Sequence, residues 1–230
     1  MKPIVCVRSC LKDLERGSHD VIRGTWGNAL RAHGISVKFF VGQSEDKRRV
    51  YRFQADETML DAKDDLPSLS YKVRSICRWA TSKLVGHLYI CDVDTFIYAN
   101  NFAKFNYELY DYAGLMLGND EPGAVYRYVA KNVGGTGVDE VHDNCYQWAS
   151  GGNGYFLSQA AFDEVSGASV TSVCDDLWVG QVLGPFVAKH EIKSANIPKG
   201  QISRHYPIRD YDNAPYDPKC GWMQKLQAEQ

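Results

Sequence analysis

Several features that strongly constrain a protein are absent from this sequence of 230 residues. No Cys-x-x-Cys spacing occurs, which argues against a zinc or thioredoxin-like site. No apolar run approaches the roughly 20 residues that a membrane-spanning helix needs, and the N-terminus lacks the pattern of a signal peptide. No Asn-x-Ser/Thr sequon occurs either. Together these absences favour a cytoplasmic, reducing location, unless the chain is a trimmed luminal domain.

The charge is nearly balanced, with 26 basic and 28 acidic residues and a formal net charge of −2, so the composition gives no support for bulk nucleic-acid binding. Hydrophobic residues make up 44% of the chain, which is enough for one large α/β domain with a substantial core. The seven cysteines are odd in number, and Cys6, Cys77 and Cys91 lie in apolar stretches. We expect these three to be buried free thiols.

The hydrophobic pattern predicts strands and helices that alternate along the chain. Strands are expected at residues 4–7, 37–41, 88–91, 113–117, 154–157 and 187–192. Helices are expected at residues 14–32, 68–84, 100–112, 159–165 and 176–186. Residues 45–53 are heavily charged and predict a solvated helix or loop, whereas residues 118–150 form a stretch long enough to be functional. The order is that of a doubly wound α/β sheet, in which ligands bind at the carboxyl ends of the strands.

One predicted strand, at 88–91, leads directly into two aspartates, Asp92 and Asp94. Two carboxylates at the end of a buried strand cost free energy unless their charge is compensated, and a divalent cation is the simplest compensator. Oxygen ligands favour Mg²⁺ or Mn²⁺ over zinc. A solvated turn after the strand is the alternative, since a lone Asp-x-Asp is common.

Six segments of the chain, weak one by one, are more specific in their common order. They are Ile-Arg-Gly-Thr-Trp-Gly at 22–27, Phe-Phe-Val-Gly at 39–42, Asp64, Leu69 and Lys72 within 64–72, Asp-Val-Asp at 92–94, Ser-Gly-Gly-Asn-Gly-Tyr at 150–155, and Asp-Asp-Leu-Trp-Val-Gly at 175–180. In this order the chain resembles the β-1,3-glycosyltransferases of the galactosyltransferase/Fringe type, which share the GT-A fold. Leu66 and Ser68 depart from that family's Tyr and Asn, and its many luminal cysteines and its membrane anchor are absent.

The resemblance implies a single GT-A (Rossmann-like) domain over residues 1–230, with a mixed, mostly parallel sheet flanked by helices. Residues 1–99 would form the nucleotide-sugar-binding half, and residues 100–230 the acceptor-binding half. The implied reaction is a metal-dependent, inverting transfer of a sugar from a nucleotide-sugar donor, UDP-linked by resemblance, to a hydroxyl of a glycan or glycoprotein.

The metal and catalytic residues also follow from the resemblance. Asp92 and Asp94 would hold Mn²⁺ or Mg²⁺, with His205 as the third ligand; an ordinary surface or packing histidine is the alternative. Asp176 would be the base that removes the proton of the acceptor hydroxyl. The alternative for Asp176 is a helix N-cap, a role that Asp175 could fill in its place.

The remaining expected site residues bind the two substrates. Expected donor contacts are Arg8, Arg23, Asp64, Lys72 and Asp92, since Arg and Lys give charge-assisted hydrogen bonds to a diphosphate; surface solubility is the alternative for the basic residues. Expected acceptor contacts are Trp148, Gly151, Gly152 and Tyr155. The glycines would let backbone approach a sugar or simply form a turn. Tyr126, Tyr128, Tyr146 and Trp148 are aromatic residues that could stack on a sugar or anchor the loop.

Three other functions are compatible with an Asp-x-Asp after a strand. A haloacid-dehalogenase-type phosphatase would use Asp92 as a nucleophile, but it expects Thr or Val where this chain has Phe96, and its motif usually lies on the first strand. A non-catalytic sugar- or nucleotide-binding module is the second alternative, against which the presence of both Asp94 and Asp176 argues. A nucleotidyltransferase is the third.

Overall fold

Strands and helices alternate through the computed structural model, which describes residues 1–46, 50–118, 146–205, 223, 227 and 228. The strands are β1 (Ile4–Arg8), β2 (Ser36–Gln43), β3 (Glu57–Lys63), β4 (His87–Asp92), β5 (Thr95–Ile97), β6 (Tyr112–Gly114), β7 (Met116–Leu117), β8 (Trp148–Ala149), β9 (Tyr155–Ser158), β10 (Ser194–Asn196) and β11 (Ser203–His205). The α-helices are α1 (Leu11–Glu15), α2 (Ser18–Gly24), α3 (Trp26–Ala32), α4 (Leu69–Ser82), α5 (Ala99–Lys104), α6 (Gln159–Gly167) and α7 (Asp175–Ala188). Short 3₁₀ turns span Leu66–Ser68 and Tyr107–Leu109.

The central sheet of the described chain has seven strands in the order β10-β6-β9-β4-β1-β2-β3. Strand β1 runs parallel to β2 and β4, β2 runs parallel to β3, and β6 runs parallel to β10. Strand β9 alone is antiparallel to its neighbours β4 and β6. The predicted α/β class with a mixed, mostly parallel sheet is confirmed. The division into a donor half and an acceptor half stays a prediction.

Helices cover both faces of this sheet. Apolar residues of α4, α6 and α7 pack with one face, and those of α2, α3 and α5 pack with the other. The sequence of α4 favours a helix because its apolar residues recur at helical spacing and are buried on one face. These residues are Val73, Ile76, Cys77 and Ala80. Asp65 is the N-cap residue of the preceding 3₁₀ turn, and its carboxylate accepts a hydrogen bond of 2.9 Å from the Ser68 amide.

The expected buried free thiols are confirmed: Cys6, Cys77 and Cys91 are free and lie in the core. Cys174 is also free and buried, and Cys10 is free and partly exposed. Among the described residues, no helix has both the length and the hydropathy to span a bilayer.

The prediction of a single helix at 14–32 is wrong. The structure has three short helices there, because Gly17 adopts a left-handed φ of +79° and Thr25 leaves the helical region. A glycine is suited to the first of these breaks, since it pays no steric penalty at positive φ. Only the apolar periodicity, which continues across both breaks, is visible in the sequence.

Three further boundaries differ from the predictions. Helix α5 ends at Lys104, where Phe105 turns extended, so the helix expected at 100–112 is too long. Helix α7 continues to Ala188 in spite of Pro185. The strand expected at 187–192 is instead β10, which begins at Ser194. Strand β3 was not expected at all. It is an edge strand in which Glu57 and Leu60 are buried and the other residues are exposed or half-buried, so its sequence lacks a clear apolar alternation.

Candidate active site

The site lies at the carboxyl ends of β1 and β4, where Arg8 and Asp92 are register partners on neighbouring parallel strands. The Arg8 guanidinium donates from Nη2 to Asp92 Oδ1 at 2.6 Å and from Nη1 to the carboxylate of Asp175 at the start of α7. Burial lowers the pKa of Arg8, but the Asp92 carboxylate outweighs burial, and the pKa lies above its ordinary value. Arg8 is therefore a fixed cation between two carboxylates. Its buried Nε–H has no acceptor among the described residues.

Asp92, Asp94 and His205 form a group that could hold a metal ion, because each offers a ligand atom within 4.8 Å of the others. Local structure explains this arrangement. Strand β5 follows the two aspartates directly and pairs with β11 in antiparallel register, so that Thr95 faces His205. The His205 Nε2 atom lies 3.3 Å from Asp94 Oδ2. Two carboxylates and one imidazole are a donor set that fits Mn²⁺, or Mg²⁺ with further oxygen ligands.

The acidic neighbourhood also changes His205. Burial lowers the pKa of this imidazole, but the hydrogen bond and the charge of Asp94 outweigh burial, so that the pKa is raised above its ordinary value. A cation at this position is therefore favoured by its surroundings, whether it is the imidazolium or a metal ion.

The glycine segment 150–154 packs against this group. A Cβ atom built on Gly152 would lie 2.4 Å from Nδ1 of His205, and one built on Gly151 would lie 2.9 Å from Nη2 of Arg8. The carbonyl of Gly152 accepts a hydrogen bond of 2.7 Å from Thr95 Oγ1, which in turn accepts from the Asp92 amide at 3.1 Å. Glycine is needed at both positions because backbone and site side chains approach closely.

A buried polar network holds the same segment to β11. The Tyr89 hydroxyl donates to the Asn153 carbonyl at 2.7 Å, and the Ser203 hydroxyl donates to the same carbonyl. The Asn153 side chain donates to Ser150 Oγ at 3.1 Å and accepts from the His205 amide at 3.4 Å. Sequence reasoning did not single out Tyr89, Ser203 or a role for Asn153, because this network joins segments that are far apart in the chain.

Asp176 lies in the first turn of α7 and is 3% exposed. Its Oδ2 atom accepts from the Gly151 amide at 3.0 Å, and its Oδ1 atom accepts from the Leu177 amide at 2.8 Å and from the Cys174 thiol at 2.9 Å. Burial raises the pKa of the Cys174 thiol and Asp176 adds to this effect, so the thiol stays protonated and donates. Asp176 thus contacts both its own helix start and the glycine segment.

Asp175 does not cap this helix, which corrects one expectation. Cys174 is the N-cap residue and makes no side-chain capping bond, while the Asp175 carboxylate is paired with Arg8. The partner of Asp175 could not be found from sequence, because Arg8 lies 167 positions away.

Asp64 and Lys72 form a second buried cluster at the ends of β1, β2 and β3. Asp64 accepts from Lys72 Nζ at 2.6 Å and from the amides of Leu11 and Gly42 at 2.6 and 2.9 Å. Lys72 also donates to the Ser9 carbonyl at 3.1 Å. Beside this cluster lies a cleft of about 330 Å³. Its lining includes Leu11, Lys12, Gln43, Ser44, Tyr51 and Asp64.

No contact between described residues joins Arg23 to the group of Asp92, Asp94 and His205. It pairs with Asp20, Asp56 and Glu57, and its guanidinium lies 4.9 Å from the centre of the Phe39 ring. Glu57 also accepts from His19 Nδ1 at 2.8 Å. The other ring nitrogen of His19 lies 2.7 Å from Ser9 Oγ.

The expected aromatic acceptor contacts are buried. Trp148 is 2% exposed and Tyr155 is 0% exposed. A Cβ built on Gly180 of α7 would lie 2.4 Å from the Trp148 Cβ, which shows how closely the tryptophan packs. Burial raises the pKa of the Tyr155 phenol well above its ordinary value. Both side chains thus lie in the core rather than at the surface, and Tyr126 and Tyr128 lie outside the described residues.

Comparison with known proteins matches the chain to one family model. The model described as Galactosyltransferase matches residues 18–194. No curated protein sequence matches the chain. Among solved structures, a protein assigned as a glucose-1-phosphate thymidylyltransferase from Bacillus anthracis, solved with sucrose, is similar with a TM-score of 0.44 and 10% identity. That similarity covers 86% of this chain and 87% of the other.

Proposed function

Because this chain belongs to the galactosyltransferase family and is therefore a glycosyltransferase, we propose that it is a metal-dependent, inverting enzyme. It would move a sugar from a nucleotide-sugar donor, UDP-linked in the first instance, to a hydroxyl of a glycan or glycoprotein. The observation that carries this proposal is the grouping of Asp92, Asp94 and His205 within 4.8 Å, next to the buried cation of Arg8.

Asp92, Asp94 and His205 would hold Mn²⁺ or Mg²⁺. Bound there, the ion supplies electrostatic stabilisation to the negative charge that develops on the departing diphosphate. The proposal is supported by the donor set and by the burial of Asp94, whose side chain is 8% exposed. A buried carboxylate needs a compensating charge.

Arg8 would contact the donor diphosphate. Its Nε–H is buried and finds no acceptor among the described residues, and a phosphate oxygen is a strong acceptor for a guanidinium N–H. Asp64 would act as part of the wall of the adjoining cleft rather than as a free ligand, because its oxygens already accept three hydrogen bonds. Lys72 would hold Asp64 in place through one of these bonds. Arg23 enters the proposal only as support for the start of β3, through its ion pair with Glu57.

Asp176 would be the base. In a single displacement, the acceptor hydroxyl oxygen bonds to the anomeric carbon, the bond from that carbon to the diphosphate breaks, and the hydroxyl proton passes to Asp176. Three donors contact the Asp176 carboxylate. The three donors fix the orientation of the carboxylate beforehand.

The acceptor would approach over the glycine segment. Gly151 and Gly152 leave room for a sugar because neither carries a side chain, and Gly151 contacts the proposed base through its amide. Trp148 and Tyr155 lie on either side of this segment in the chain and are buried, so they would hold its two ends in the core. This gives the two aromatic residues an indirect role in acceptor binding.

The test is sugar transfer from a panel of UDP-, GDP- and CMP-linked sugars to glycan acceptors in the presence of Mn²⁺, followed by NMR of the anomeric proton in the product. The proposal predicts a product with the anomeric configuration opposite to that of the donor, and none when the metal is chelated. Retention of configuration, or equal transfer in chelator, would contradict it. Nucleotide binding without turnover on any acceptor would favour the non-catalytic binding module, and release of inorganic phosphate would favour the phosphatase.

A further inference from the structure

We propose that Asp175 is a positioning residue, which holds the Arg8 guanidinium in place for the diphosphate of the donor. The inference rests on the proposed function, because it assigns Arg8 to the leaving group. Asp175 precedes the proposed base in sequence and contacts neither the proposed metal ligands nor the glycine segment by a hydrogen bond of its own among the described residues. Its partner is Arg8.

The ion pair between these residues is almost completely buried. The side chain of Arg8 is 4% exposed and that of Asp175 is 7% exposed. A buried ion pair contributes little net stability compared with well-packed apolar side chains, because both charges lose their hydration. The pair is therefore poorly explained by stability alone, and its position beside Asp92 connects it to the site.

Asp175 counteracts the pull of Asp92 on the guanidinium. Arg8 donates to Asp92 through Nη2 and to Asp175 through Nη1, so the two carboxylates hold it from two sides. Without Asp175, Arg8 would be held by Asp92 alone, and the guanidinium would be free to turn about that one contact. With Asp175 present, the plane of the guanidinium is fixed.

One nitrogen of the fixed guanidinium, Nε, has no partner among the described residues of the kind that Nη1 and Nη2 have. Nε–H is buried and without an acceptor among the described residues, a state that costs free energy unless a ligand supplies the acceptor. Gly151 closes one side of the guanidinium, since a Cβ there would lie 2.9 Å from Nη2. The unpartnered nitrogen thus points to an anion as the missing partner of Arg8, and Asp175 keeps the guanidinium in place for it.

The experiment is a double-mutant cycle on the affinity for inorganic diphosphate with Mg²⁺, measured by calorimetry. Diphosphate carries no base and no sugar, so it reports on the anion site alone. We expect Asp175→Asn to weaken diphosphate binding by about tenfold, as loss of an orienting partner does elsewhere. In the Arg8→Lys background, Asp175→Asn should cause no further loss. Additive losses, or affinity within twofold of the wild type in Asp175→Asn, would overturn the inference.

Two further variants keep the test independent of folding defects. Arg8→Lys preserves the charge between Asp92 and Asp175 but lacks Nε, and we expect it to fold and to lose about tenfold in diphosphate affinity. Asp175→Glu preserves the carboxylate and should recover most of the affinity that Asp175→Asn loses. Unchanged binding in Arg8→Lys, or no recovery in Asp175→Glu, contradicts the proposal. Asp163→Asn, on the outer helix α6, is the matched control.

Steady-state kinetics separate this inference from the proposed function. With an active donor and acceptor, Asp175→Asn should raise the donor KM by about tenfold and leave the acceptor KM unchanged. If the cycle behaves as expected but no donor supports transfer, the proposed function fails and the role of Asp175 stands. If sugar is transferred and the cycle is additive, the role of Asp175 fails and the function stands.

Discussion

The backbone of Gly152 lies against the imidazole of His205, so closely that a Cβ atom at this glycine would be 2.4 Å from Nδ1. The glycine segment and strand β11 therefore fit together only when position 152 has no side chain. Since His205 is a proposed metal ligand, a side chain added at Gly152 should lower the affinity of the site for the metal.

We expect Gly152→Ala to displace the His205 ring and to lower Mn²⁺ affinity by about tenfold or more, the effect that misplacing a ligand has in other metal sites. Electron paramagnetic resonance of free Mn²⁺ measures this directly. The matched control is Gly167→Ala at the end of α6, where an added Cβ meets no atom within 4 Å. Equal Mn²⁺ affinity in Gly152→Ala and Gly167→Ala would remove His205 from the ligand set.

Asp176→Asn should separate binding from chemistry. General-base catalysis is worth about 10²- to 10⁴-fold, so kcat should fall within that range while the donor dissociation constant changes by less than about threefold. The substitution also turns one oxygen into an N–H₂ group near the donors that now bind Asp176, so some loss of stability is expected. Single-turnover kinetics at saturating donor measure the chemical step. Transfer at a near wild-type rate would show that Asp176 is not the base.

Two lysines allow a comparison of a buried and an exposed ion pair. Lys72 is 3% exposed and pairs with Asp64, which is 9% exposed, whereas Lys63 is 67% exposed and pairs with Glu45. Lys72→Met leaves a buried carboxylate without its counter-charge and should cost about 3–5 kcal/mol in the free energy of unfolding. Lys63→Met should cost about 0–1 kcal/mol. Urea unfolding of both variants measures the difference, and similar costs would mean that the Lys72 pair is well solvated.

Stability should depend on pH through His19, which is 1% exposed and lies between Ser9 and Glu57. Burial lowers the pKa of His19 from its ordinary value of 6.5, and the hydrogen bond to Glu57 offsets only part of this effect. The unfolded chain therefore binds a proton at a higher pH than the folded chain. Stability is full above pH 6.5 and is lost as the pH falls through the folded pKa.

Urea unfolding at pH 7.5 and 5.5 tests this expectation. The wild type should lose more stability between these two values than His19→Gln does. His33→Gln, at the end of α3, serves as the control and should behave as the wild type. A loss of the same size in wild type and His19→Gln would assign the pH dependence to other groups.

Much of the central fold could be predicted because its signals are local. The apolar run that ends at Asp92 and the buried stripe of α4 depend only on neighbouring residues, and both elements are found near the expected positions. Strand β3 could not be predicted in the same way, since it is stabilised by pairing with β2 rather than by its own pattern. The break at Gly17 could not be predicted because it depends on the positive φ of that glycine, which the apolar pattern does not reveal.

The site shows the same limit. The grouping of Asp94 with His205 was accessible through a resemblance, but not through spacing, because β5 and β11 meet only in the folded chain. The partner of Asp175 was missed because an acidic residue at a helix start is usually explained by the helix itself. Trp148 was expected to contact the acceptor or to anchor the loop, and its burial fits the second of these roles.

The most direct measurement of the central claim is the calorimetric titration of UDP into the wild type and into Asp94→Asn, each with and without Mn²⁺. The account predicts that the wild type binds UDP only when Mn²⁺ is present, and that Asp94→Asn weakens this binding by at least about 100-fold, more than the loss of an outer-shell partner would. Asp61→Asn, an exposed change on β3, should bind as the wild type does. UDP binding that is equally tight without Mn²⁺, or unchanged in Asp94→Asn, would contradict a metal-dependent nucleotide-sugar site at Asp92 and Asp94.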